Sequence, residues 1–136
     1  MKKKRTLDAV LKSILKPTTK HYAAKYTLRT LCDHLQTALN SGTKQYIIVS
    51  LQPHSNSQNS TQYAVVLQIP ERRYEDTVFT ANIPHTGWPV SLNWSGATGG
   101  IIASNQTQIE DAVMSIISRP EILSRFQDYC YLAQKC

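Results

Sequence analysis

The spacing of apolar residues changes period twice along this chain, and that double change limits the fold more than any single motif does. Leu7, Val10, Leu11, Ile14 and Leu15 recur at the three-and-four spacing of a helix face, which predicts a helix over 6–16 that Pro17 ends. Leu28, Leu31, Cys32, Leu35, Ala38 and Leu39 repeat the pattern over 26–40, with Thr27 as the expected N-cap and Ser41-Gly42 as the stop. The stretch 18–25 between them reads as a basic, aromatic-bearing connection.

From Lys44 the period becomes that of strands. The β-branched and aromatic runs 46–51 and 63–69 predict a hairpin, and the polar segment Pro53 to Thr61 predicts a long mobile loop joining them. In the second run Tyr63, Val65, Leu67 and Ile69 share one face, opposite Ala64, Val66 and Gln68. Pro70 to Asp76 reads as a charged turn, with further strands over 77–83, 90–94 and 101–104 separated by Pro84-His85-Thr86-Gly87 and Ser95 to Gly100. Short turns without crossover helices force antiparallel neighbours.

Helical spacing returns at Ile109, Ala112, Val113, Ile116 and Ile117, with Asn105 or the pattern Thr107-x-x-Glu110 as cap. Arg119-Pro120 breaks it, and Ile122, Phe126 and Tyr129 carry a last helix to about Ala133. The pattern predicts an α+β fold of two layers: an antiparallel β-meander of four or five strands with two N-terminal and two C-terminal helices covering its more apolar face.

At 136 residues the chain suits one domain, 1–136, with a basic N-terminal helical segment at about 1–31. Its 41% hydrophobic and 18% charged residues place it among chains that fold rather than stay disordered. The opening Met-Lys-Lys-Lys-Arg leads into an amphipathic pattern rather than a signal-peptide core, and no apolar run is long enough for a membrane span. Cys32, Cys130 and Cys136 form no Cys-x-x-Cys pair, which favours reduced thiols and a cytoplasmic location, with Cys32 as a small core residue.

No residue pattern assembles a catalytic site. The glycine-rich run 95–100 lacks the Lys-Ser/Thr of a phosphate loop and leads into a strand; Ser95 lacks both flanking glycines of a nucleophile elbow. His21, His34, His54 and His85 lie in separate segments without metal-ligand spacing. Cys32 and His34, two apart on a helix, point to different faces. Glu75-Asp76 and Glu110-Asp111 read as structural, the first in a turn and the second in the opening turn of a helix. The expectation is a non-enzyme with no cofactor and no metal.

The positive signal is charge. Residues 1–31 hold nine bases and one acid, a net +8, against six bases and eight acids, a net −2, in the remainder, which together give the formal +6. Lys2, Lys3, Lys4, Arg5, Lys12, Lys16, Lys20, Lys25 and Arg29 are the candidate polyanion-binding residues, and they point to nucleic acid or an acidic protein as partner. Trp88, Tyr22, Arg72 and Arg73 are candidate partner contacts, since turn aromatics and exposed arginines anchor interfaces. The alternative is a protein-directed inhibitor or immunity-type factor that occludes its target through the sheet edge, the 53–61 loop or the Trp88 turn.

Overall fold

In the computed structural model, which describes residues 19–41, 47–95 and 99–134, the changes of period become a helix, a sheet and a pair of helices. Helix α1 spans Thr19–Asn40. Five strands follow: β1 (Ile48–Asn56), β2 (Ser60–Ile69), β3 (Tyr74–Pro84), β4 (Val90–Asn93) and β5 (Ile101–Ala103). Helices α2 (Gln106–Ile117) and α3 (Pro120–Gln134) close the chain. Every strand pairs antiparallel with its chain neighbours in the order β1-β2-β3-β4-β5, so the α+β class and the meander are as expected.

The helix count differs. Among the described residues one N-terminal helix stands where two were expected, and the segment expected to hold the other, 6–16, lies outside them. Residues 19–25, expected as a connection, are the first two turns of α1. The apolar stripe of α1 begins earlier than a count of hydrophobic residues suggests, because His21 and Thr27 occupy inward positions beside Ala24 and Leu28. Thr27 caps nothing; its hydroxyl donates to the Ala23 carbonyl at 3.0 Å in mid-helix.

The expected long loop is also replaced. β1 runs to Asn56 and β2 starts at Ser60, leaving only 57–59 as the turn. The polar residues that resemble a loop in sequence pair across the hairpin instead. Thr61 Oγ1 donates to Asn56 Oδ1 at 2.8 Å, Ser55 Oγ to Gln62 Oε1 at 3.2 Å, and the Ser57 backbone N–H to the Ser60 carbonyl at 2.9 Å. The charged turn shrinks likewise to a single 3-10 turn, Pro70–Arg72, followed by Arg73 at a left-handed φ of 51°, so Glu75 and Asp76 belong to β3. Asn105 is the cap of α2, its side chain accepting from the Gln108 N–H at 2.9 Å, which moves Glu110 and Asp111 out of the opening turn.

The covered sheet face is the one that alternation picks out. Tyr63, Val65, Leu67 and Ile69 of β2 stand beside Phe79, Ala81 and Ile83 of β3, Leu92 of β4 and Ala103 of β5. They form one cluster with Ala24, Leu28 and Cys32 of α1, Ile109, Val113 and Ile116 of α2, and Ile122, Phe126 and Tyr129 of α3. Of the residues that the sequence places on apolar faces, Val65, Leu67, Ile109, Val113 and Ile116 are buried, Leu31 and Leu35 are half-buried against the cluster, and Leu11 lies outside the described residues. Among the described residues no helix is long and apolar enough to cross a membrane.

Candidate binding surface on helix α1

Two polar seams set the pose of α1 and therefore what it shows to solvent. At its N-terminal end His21 is fully buried, with Nδ1 2.9 Å from the Pro84 carbonyl and Nε2 3.1 Å from the Tyr63 hydroxyl. The carbonyl can only accept, so Nδ1 carries the proton and Nε2 accepts from Tyr63. That assignment is the neutral ring, and burial holds the His21 pKa below its ordinary value; nearby His85 and Lys25 push the same way against the Pro84 hydrogen bond. The turn after β3 approaches so closely that a Cβ on Gly87, whose φ is +99°, would lie 2.5 Å from Lys20 Cβ. At the other end Asn40 brackets Ile47, its Oδ1 accepting from the N–H at 2.7 Å and its Nδ2 donating to the carbonyl at 2.8 Å. Gln36 Oε1 accepts from the Val49 N–H at 2.9 Å.

With His21, Ala24, Leu28 and Cys32 turned inward, the outward crest of α1 carries Tyr22, Lys25, Tyr26 and Arg29. Tyr22 is 49% exposed and Tyr26 71%, far more than aromatic rings with a core role. Tyr22 meets the His21 ring edge-on at 5.6 Å between centroids, and Lys25 Nζ lies 5.3 Å from the centre of the Tyr63 ring. Tyr22 stays exposed, and Lys25 is half-buried.

A cleft runs along each flank of the crest. The one toward the sheet edge, about 270 Å³, is lined by Lys25, Arg29, Cys32 and Asp33 against 49–51 and Pro53 of β1. The other, about 460 Å³, lies between α1 and α2 and is lined by Tyr26, Thr30, Leu31 and Met114, with His34 and Glu110 at its polar margin. Lys25 and Arg29 thus line the cleft on one flank and Tyr26 the cleft on the other, while Tyr22 lines neither.

Of the nine candidate polyanion contacts, Lys20, Lys25 and Arg29 are on α1, and Lys2, Lys3, Lys4, Arg5, Lys12 and Lys16 lie outside the described residues. Tyr22 joins them on the crest; Trp88 is half-buried against the core in the turn beside Lys20. Arg72 and Arg73 are exposed at the opposite end of β2 and β3, away from this surface. Tyr26, between Lys25 and Arg29, and Met114 do not stand out in the sequence, which carries no sign of which face each takes. The one signal is the four-residue step from Tyr22 to Tyr26, which needs the helix to start at Thr19 before it means anything.

Of the residues singled out for chemistry, the fold brings His21 and His85 together, their ring centroids 5.8 Å apart. Cys32 is buried and its thiol is pushed up to about 12, mainly by burial, so it stays protonated. His34 and His54 are exposed on α1 and β1, and Ser95 is exposed at the end of β4. Among the described residues no group of three or more His, Cys, Asp or Glu side chains is placed to hold a metal ion. Trp94 packs its ring under the Arg119 guanidinium, 4.8 Å from the ring centre, and Arg119 pairs with Glu121 at 2.9 Å. No family model, curated protein or solved structure matches the chain.

Proposed function

We propose that this chain is a non-catalytic binding protein whose basic N-terminal segment contacts a polyanion, either nucleic acid or the acidic surface of another protein. The observation that carries this reading is the pairing of Lys25 and Arg29, one turn apart on the same flank of α1 and opening into the same cleft. They extend the charge run that begins at Lys2. Two cations at that spacing meet neighbouring anionic groups of a polymer at once, and the sheet-edge backbone supplies a wall that keeps the site concave. Asp33 at the far end of the cleft is the one acid lining it and limits the cationic stretch to the first three turns. Free thiols at Cys32 and Cys130 suit a reducing compartment such as the cytoplasm.

The test is a salt series on the full chain, reading anisotropy of labelled random-sequence single strands, duplexes and a poly-glutamate peptide. Binding that weakens linearly in log Kd against log salt, and that loses slope in a Lys25→Gln, Arg29→Gln variant with unchanged melting temperature, supports the reading. Absence of binding to all three probes at low salt overturns it in favour of occlusion of a non-acidic protein target.

A further inference from the structure

From two exposed tyrosines, Tyr22 and Tyr26, beside the cationic flank of Lys25 and Arg29 we infer that α1 is a stacking platform for single-stranded nucleic acid; the inference rests on the polyanion reading and narrows its partner. Lys25 and Arg29 open toward β1, while Tyr26 opens toward α2 together with Met114, a side chain that is 57% exposed. Tyr22 lies one turn before Tyr26, about 6 Å along the helix axis. A polymer in which each unit joins a charged backbone to a flat ring matches that division. Its phosphates lie along the β1-side cleft and its bases turn over the crest onto Tyr22, Tyr26 and the thioether of Met114.

The alternatives fit less of the surface. A duplex presents the same phosphates but keeps its bases stacked internally, leaving the two exposed tyrosines without a role. An acidic peptide meets Lys25 and Arg29 but brings no ring for each charge. Tyr22 is also oriented before any ligand arrives, by its edge-on contact with the buried His21, and a pre-set ring loses less freedom on stacking. Stacking of this kind tolerates any base, because every base has a flat face, so sequence preference should be slight.

The experiment compares binding of oligothymidylate, oligoadenylate, an abasic strand of equal length and the annealed duplex to the full chain and its variants. Tyr22→Ala and Tyr26→Ala should each weaken binding to the base-bearing single strands about 5- to 150-fold. They should leave the salt slope and binding to the abasic strand unchanged, while Tyr22→Phe and Tyr26→Phe retain binding. Lys25→Gln with Arg29→Gln should weaken every probe and lower the slope on single strands by about 0.7 for each phosphate no longer neutralised. Unchanged single-strand binding in both tyrosine-to-alanine variants, alongside weaker binding in the charge variant, overturns stacking and leaves the polyanion reading standing. Tighter binding of the duplex, or of poly-glutamate alone, overturns the inference in favour of those partners. Failure of the parent chain to bind any probe overturns both.

Discussion

His21 converts the sequence's least conspicuous inward position into a titrating one. Its folded pKa lies below the ordinary value of 6.5 because burial disfavours the charged ring. Between those two values the unfolded chain takes up a proton that the folded chain refuses. The contribution is therefore complete above about pH 6.5 and is lost as pH falls through the folded value. Urea midpoints of the parent and of His21→Asn, measured from pH 8 to pH 5, should converge as pH falls, and parallel curves would remove His21 from the account. The hydrocarbon side of the same core answers more simply. Leu67 of β2 is fully buried, and Leu67→Ala should cost about 2–5 kcal/mol in denaturant unfolding. Individual hydrophobic positions such as Leu67, Val65 and Ile116 are legible because alternation and helical spacing depend only on which residues are apolar. His21 is not, since a polar ring satisfied by one carbonyl and one hydroxyl looks in sequence like a solvent residue.

At the level of elements the same limit explains what the pattern misses. The 53–61 stretch carries serine, asparagine and threonine at positions that a strand can use, because Ser55, Asn56 and Thr61 bond across the hairpin. Composition alone assigns them to a loop. The outer edge of β1 shows why α1 and the sheet must be read together. Asn40 satisfies both backbone groups of Ile47, and Pro53 offers no N–H, two devices that discourage another strand from pairing there. Asn40→Leu strips the first device and should cost about 1–3 kcal/mol while promoting concentration-dependent association on size-exclusion chromatography. Gly87→Ala probes the opposite contact of α1. A side chain at that positive φ would meet the backbone and Cβ of Lys20, so a loss of about 1–3 kcal/mol is expected in thermal unfolding, with binding of polyanions retained.

Across the whole molecule, the charged residues and the hydrophobic cluster are different sets of positions. Replacing Lys2, Lys3, Lys4 and Arg5 with glutamine takes the formal charge from +6 to +2 and replaces no residue of the hydrophobic cluster. The melting temperature should shift little, while the salt slope for nucleic acid falls. The sheet order also has a consequence for how fast the molecule assembles. Because strands are neighbours in space in the order of the chain, each hairpin closes a short loop and can form before any distant segment arrives. Two seams cannot. His21 meets Pro84 across 63 positions, and Asp76 receives Arg125 and Tyr129 of α3 across 49 and 53. If these clasps close after the rate-limiting barrier, they act as latches on escape rather than as guides to entry. His21→Asn and Tyr129→Phe should then steepen loss of the native state by raising the unfolding limb of a chevron plot, with the refolding limb nearly superimposed on that of the parent.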